Sequence, residues 1–281
     1  MWRLWGEEGV SARPLAFIKG AGDLATGVAL RLWRAGFAVV MTEIEQPTPV
    51  RRTVSFAEAV YDGEAQVEGV TAVLAEDATE AARLAGQRVV AVVVDPEAAS
   101  REGLKPQLVV DAIIAKRNVG TTMQDAPAVV ALGPGFYAGR DCHAVVETMR
   151  GHTLGRVIWQ GEAIPNTGIP GEIGGKGAER VLRAPGAGVF RATAQIGDVV
   201  SAGQIVGYVG DLPLVSTLDG VLRGLLRSGL EVTHGFKTGD VDPRAVPEHC
   251  LTASDKALAV GGGVLEAACA LLGGVHFGEQ A

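Results

Sequence analysis

Long apolar runs, a cysteine framework and a basic surplus are all missing from this chain. No apolar stretch of its 281 residues approaches the roughly 20 that a membrane helix needs, so no membrane association is expected. The three cysteines, Cys142, Cys250 and Cys269, lack paired metal spacing, and their odd number argues against a disulfide scaffold, so a reducing cytoplasm is the plain expectation. The formal net charge of −7 leaves no global footprint for nucleic acid, which would want a basic face. The opening stretch, Met1 to Pro14, has no apolar signal core or cleavage pattern and reads as a tail. Aromatic residues make up only 5%, yet hydrophobic residues reach 47%, enough for an ample core in one large or two medium domains. Glycine is abundant, at 39 residues, which announces tight turns and close backbone approaches.

From Leu15 onward, short apolar runs alternate with helical stretches. LAFIKG (15–20) and FAVVMTEIE (37–45) read as strands flanking a helix over 24–36, where Leu24, Val28 and Leu32 share a stripe and Gly36 is the stop. A short helix over 76–86 precedes RVVAVVVDP (88–96), a continuous apolar run of the kind buried on both faces of a parallel sheet. QLVVDAIIAK (107–116), PAVVALG (127–133) and GRVIWQG (155–161) read as further strands. The fold class expected is therefore α/β: a Rossmann-like, mostly parallel sheet over 15–160.

The texture changes after Gly161. A glycine- and proline-rich linker is expected over 161–180, followed by an internal repeat over 181–245. Gly188, Val189, Arg191, Gly197, Val200 and Gly203 recur 32 residues later as Gly220, Val221, Arg223, Gly229, Val232 and Gly235. Two such halves can bury one small β core that neither buries alone. The turn Gly197-Asp198-Val199-Val200-Ser201-Ala202-Gly203 resembles those of biotinyl/lipoyl-type barrel-sandwich hybrids, but Gly210 to Val215 offers no lysine for a covalent carrier role. The end, 246–281, reads as helical. The triplet Gly261-Gly262-Gly263 costs about 1 kcal/mol per glycine there, so a break or a close packing contact is expected.

Gly20-Ala21-Gly22-Asp23-Leu24-Ala25 matches G-x-G-x-x-[G/A] between strand and helix, the form of a dinucleotide turn; the plain alternative is a tight βα turn with no ligand. Asp23 sits beside the phosphate path and would repel a pyrophosphate unless a cation or proton intervened. Glu43 and Glu45 end the next strand, where an acid meets a ribose hydroxyl. Arg51-Arg52 follow, either as a phosphate grip or as a solvated pair. At two more strand ends stand Lys116, Arg117 and Asn118, and Gly133 and Gly135. Ligands collect at the carboxyl rim of open α/β sheets, so these segments form a candidate anion site. His143 and Glu147 stand four apart, as if on one helix face, but no third metal ligand is evident; no metal site is expected. Asp141 disfavours a Cys142 thiolate, and Cys250 reads as an ordinary cysteine ahead of a helix N-cap at Ser254 or Thr252.

The strings IKGAGDLATGVALRLWRAGF, AKRN, LGPGFYAGRD, HAVVETMRGHTLGRVIW, KTGDVDPR and SDKALAVGGGVLEA together resemble the YqeB-type proteins of selenium-dependent molybdenum hydroxylase systems, from Phe17 to about Leu272. The first segment is also similar to the Rossmann part of XdhC-type chaperones. The resemblance implies an accessory factor that matures a client molybdenum hydroxylase, binding a molybdopterin-type dinucleotide or assisting sulfur or selenium insertion. The binding residues expected are Gly20, Gly22, Asp23, Thr26, Glu43, Arg52, Lys116, Arg117, Asn118, Gly133 and Gly135. No catalytic residue is assigned. An NAD(P)-dependent oxidoreductase and a non-catalytic scaffold are the alternatives, and self-association into a homo-oligomer stays open.

Overall fold

A computed structural model describes residues 13–273, so residues 1–12 of the expected tail and the final residues of the 246–281 segment lie outside the described part. Strand β1 (Leu15–Lys19) turns into helix α1 (Asp23–Arg34), which returns to β2 (Ala38–Glu43). A long loop with single helical turns leads to the short α2 (Ala59–Asp62), then β3 (Glu64–Val67), β4 (Val70–Ala75), α3 (Ala78–Gly86) and β5 (Val90–Val94). One turn, α4 (Arg101–Leu104), precedes β6 (Leu108–Asp111). β7 (Ala128–Leu132), β8 (Tyr137–Ala138), β9 (Ala144–Val146), β10 (Val157–Ile158) and β11 (Gly161–Glu162) follow. Local chemistry starts α3 where it does: Asp77 accepts from the Glu80 amide, and Glu80 reaches back to accept from the Glu76 amide.

Nine strands form one sheet in the order β10-β9-β7-β6-β1-β2-β5-β4-β3. Its central strands are sandwiched, which explains their continuous apolar runs. In β5, Val90 and Val92 enter one core cluster, while Ala91 and Val93 enter the cluster on the opposite face.

The duplicated stretch forms β12 (Val181–Arg183), β13 (Gly188–Ala192), β14 (Val199–Val200), β15 (Ile205–Val209), β16 (Leu212–Val215), β17 (Gly220–Leu225), β18 (Glu231–Val232) and β19 (Lys237–Asp242). The 32-residue offset carries β13, β14 and β15 onto β17, β18 and β19. The halves exchange their shortest strands: β14 pairs with β17, and β18 with β13. Phe190, Val206, Leu222, Leu225 and Val241 then close one shared core. This part is tied to the loop after β2. The Leu225 amide donates to the Val50 carbonyl at 2.8 Å, Arg52 Nε donates to the Leu225 carbonyl at 2.8 Å, and Arg227 pairs with Glu58 at 2.9 Å.

A Rossmann-like parallel sheet followed by a barrel-sandwich module and a separate helical end is not what these elements build. The large sheet is mixed, with β3 and β10 antiparallel at its two edges. The β6–β7 and β7–β9 connections carry no α-helix, so the regular strand–helix alternation fails there. The repeat region forms two separate four-stranded antiparallel sheets, β12-β19-β17-β14 and β16-β15-β13-β18. The helical end is no appendage: α5 (Asp255–Leu271) packs on α1 and covers β7, β9 and β10 with Val260, Val264, Ala267 and Ala268. It supplies the cover that the missing crossover helices would have given.

The glycine triplet lies within unbroken α5. A Cβ on Gly261 would stand 2.7 Å from the Gly27 carbonyl oxygen, and one on Gly27 2.7 Å from that of Ala257. The two helix backbones therefore touch at Gly27 and Gly261, and glycine is needed for closeness rather than for bending.

Candidate functional site

The carboxyl ends of the central strands open into two adjoining pockets. In the first, of about 490 Å³, Gly20, Gly22, Thr42, Glu43, Asp95 and Ala112 are joined by the apolar Ile44, Ile113 and Val119. These last three are 45, 42 and 47% exposed, an unusual concession for large aliphatic side chains and one that gives the pocket greasy walls. The second, of about 530 Å³, is a cleft between the sheet rim, the 164–171 loop, the antiparallel sheets and the start of α5. Asp23, Leu24, Thr48, Pro49 and Ile114 border both.

Glycine geometry draws the rim together. Gly20 has φ +91°, and a Cβ there would lie 3.0 Å from the Ala112 carbonyl oxygen; Gly135, at φ +106°, lies so close to the 116–117 backbone that a Cβ would be 2.5 Å from the Arg117 amide. Segments 20–22, 112–117 and 133–135 are therefore neighbours. Ile114 and Lys116 take left-handed backbone, φ 60° and 61°, and both line the cleft. A β-branched isoleucine in that region is strained, and such strain clusters at binding loops.

Of the residues expected from sequence, Gly20, Gly22, Asp23, Glu43 and Lys116 line the pockets. Gly22 precedes α1 as its N-cap and has open space where a side chain would project. Glu43 braces the turn, accepting from the Ala21 amide at 2.9 Å and the Ile44 amide at 3.0 Å. The others need correction. Thr26 is fully buried and receives the Phe56 amide at 2.9 Å. Arg52 points to the Leu225 carbonyl and Glu58, away from the rim; its neighbour Arg51 faces the cleft instead. Arg117 is exposed outside both pockets. Asn118 folds its own loop, accepting from the Gly120 and Thr121 amides at 2.9 and 2.8 Å. Gly133 packs on Thr148, and Gly135 on the 116–117 backbone; both shape the rim from behind. His143 and Glu147 flank strand β9 rather than sharing a helix face. His143 Nδ1 accepts from the Val129 amide, and Glu147 accepts from the Met149 and Ile164 amides. No metal-binding cluster of three His, Cys, Asp or Glu occurs among the described residues.

The cleft's charge is the feature that local reading missed. Eight cationic side chains line it, against the carboxylates of Asp23 and Asp240. Besides Lys116 they include Arg51, Arg150, Arg180, Arg223, Lys237 and Lys256. Arg51, Arg180 and Arg223 are buried. Asp240 is shared by Arg180 and Arg223, and Asp242 by Arg223 and Arg244. Burial, opposed by Asp240 and reinforced by Arg223, lowers the Arg180 pKa below the usual arginine value. Burial also lowers Arg51 against the pull of Asp23, 3.9 Å away. Asp242 goes the other way: its burial is outweighed by the Arg244 hydrogen bonds, which hold it at about 2. The repeat gave one faint signal. Its two arginines sit in different worlds: Arg191 is exposed beside Tyr208, whereas Arg223 is buried in the cleft floor.

Neither buried cysteine is set up as a nucleophile. Burial and then Asp141 push Cys142 up to about 12, and burial raises Cys250, which sits ahead of the Ser254 N-cap of α5. Alkylation of the native protein at pH 8 is expected to label exposed Cys269 first, with Cys142 and Cys250 reacting only on unfolding. Peptide mapping checks this; rapid labelling of Cys142 would refute it.

No helix among the described residues is long and apolar enough to cross a membrane. No protein-family model matches the chain. Among solved structures, similarity is faint. An aspartoacylase family protein from Mesorhizobium loti is 13% identical, with 82% of this chain and 85% of that one covered and a TM-score of 0.25. A succinylglutamatedesuccinylase/aspartoacylase from Rhodobacter sphaeroides is 14% identical, with 82% and 86% covered and the same TM-score. Scores this low define no shared fold, and no activity follows from them. The sequence itself has a far nearer relative: over 271 residues, 96% of its length, this chain is 52% identical to the uncharacterized protein YqeB of Escherichia coli K12, of which it spans about half.

Proposed function

We propose that this chain handles an anionic, nucleotide-bearing cofactor as an accessory factor for a molybdenum hydroxylase. The client class follows from the resemblance of the sequence strings. The ligand class is supported by one observation: a glycine-turn pocket with apolar walls runs directly into a basic cleft, in a protein whose net charge is negative.

A pterin dinucleotide has two flat ring systems joined through phosphates, and the two pockets fit that division. Ile44, Ile113 and Val119 offer apolar surface to a ring. Glu43 and Asp95 already accept backbone amides, which orients their carboxylates and leaves lone pairs for ribose hydroxyls. The first turn of α1 and the Arg51 guanidinium stand at the junction, where phosphates would pass, and Arg51 offsets the Asp23 carboxylate there. Lys116, on its strained loop, reaches the same passage. When bound, the cofactor would carry the redox-active metal centre destined for the client; this chain's residues hold, orient and shield it.

Titration of the purified protein with molybdopterin cytosine dinucleotide and, separately, NAD tests the reading. Saturable binding of the former, not displaced by NAD, is expected. Gly22→Val should fold normally, because its side chain enters open space at an ordinary backbone angle, yet weaken binding by about tenfold or more by occupying the pocket. Absence of binding alongside clear NAD binding would sink the proposal.

A further inference from the structure

The floor of the basic cleft buries more positive charge than its carboxylates answer. Arg51 and Arg180 are each only 7% exposed. Arg180 must share Asp240 with Arg223. Arg51 spends one nitrogen on the His249 and Thr252 carbonyls, at 2.8 and 3.3 Å, and among the described residues meets no carboxylate closer than Asp23. The Nε atoms of both Arg51 and Arg180 are buried without a hydrogen-bond partner among the described residues. Each such donor carries a desolvation penalty that a native fold normally avoids. Lys256 stands on the same cleft wall; burial, and then Arg150, lower its pKa below the ordinary lysine value. No ion pair within the described residues answers it, and the carboxylate of its chain neighbour Asp255 is taken by Arg150 at 2.8 Å.

We propose that this floor binds a tetrahedral dianion of the phosphate class, gripped by Arg51, Arg180 and Lys256. The three cations come from three separate parts of the fold: the loop after β2, the segment entering β12, and α5. Donors arriving from three directions suit an oxyanion with oxygens on every side better than a planar carboxylate, and two negative charges match the surplus. A long nucleic-acid backbone has no matching basic stripe, because the charge is confined to a bounded cleft. The proposal does not depend on the cofactor reading. The dianion can be free in solution or be the phosphate of a ligand that extends from the glycine-turn pocket.

Calorimetric titration of the full chain at constant ionic strength, with inorganic phosphate and with acetate as the planar comparator, tests it. Phosphate is expected to bind saturably at one site and acetate not. Arg51→Gln and Lys256→Gln should each weaken phosphate about tenfold or more, while Arg83→Gln, on the distant α3 surface, leaves it unchanged. The Lys256 side chain makes no hydrogen bond among the described residues, so that variant stays informative even if Arg51→Gln misfolds. Phosphate binding that survives a failed dinucleotide titration would remove only the cofactor reading. Competition between phosphate and a bound dinucleotide would identify the ligand's own phosphate as occupant; simultaneous binding would identify a free oxyanion. No saturable phosphate binding, or binding indifferent to both variants, overturns the proposal.

Discussion

Gly263→Val is expected to lower the thermal midpoint by about 5–10 °C, whereas Gly262→Ala, one residue earlier, raises it by about 2–3 °C. Both positions lie in α5, where glycine is a poor helix former, so propensity alone would make both changes favourable. Packing separates them. A Cβ on Gly263 would run into the Gly155 carbonyl oxygen and stand 2.8 Å from Val146 Cγ1, while a Cβ on Gly262 meets nothing within 4 Å. Neither backbone nor a buried β9 valine can yield cheaply, and overpacking of this kind costs about 1–3 kcal/mol net, more for a branched side chain. The alanine gains about 0.5–1 kcal/mol from reduced freedom in the unfolded chain. Calorimetry of the two variants decides the matter. Equal shifts of the same sign would mean that α5 is not seated on β9 and the 155 loop as described.

Asp240→Ala is expected to cost about 3–5 kcal/mol, measured as a lower urea midpoint with an unchanged slope. Asp240 is 1% exposed and is the carboxylate shared by the buried Arg180 and Arg223. Its removal leaves Arg180 without a carboxylate partner and Arg223 with Asp242 alone. The penalty is that of stranding charge in a site with little water, not the modest worth of a surface pair. Added phosphate should recover part of the loss, because an anion in the cleft would take over the vacated role. A loss below about 1 kcal/mol would mean that the floor is wetter and less electrostatically demanding than its burial indicates.

Much of the secondary structure was legible. The apolar run 88–96 became β5, and the stripe through Val28 and Leu32 became the inner face of α1. Elsewhere the pattern misled. The run 107–116 reads as one long strand, but β6 ends at Asp111 and the chain leaves the sheet through left-handed backbone at Ile114. Apolar character alone cannot distinguish a strand from a rim loop with aliphatic residues around a pocket. The pair His143 and Glu147 failed for a related reason: the segment is a strand rather than a helix, and each side chain is taken up by backbone amides of its own, His143 by Val129 and Glu147 by Met149 and Ile164.

By itself the sequence determined the turns and the short elements, because the signals for them are local: a glycine where φ is positive, an acid at a helix start, a valine run where both faces are covered. It also carried the 32-residue repeat. The assembly was decided by tertiary structure alone: a mixed sheet, helix α5 in place of missing crossovers, and short strands exchanged between the repeat halves. The basic cleft belongs there too. Arg51 could be read as a phosphate grip, but Arg150, Arg180, Arg223 and Lys256 are scattered over about 100 residues, and nothing local marks them as more than solvated cations. Electrostatic fields add in space, not along the chain, so only closure of the fold turned separate charges into a site.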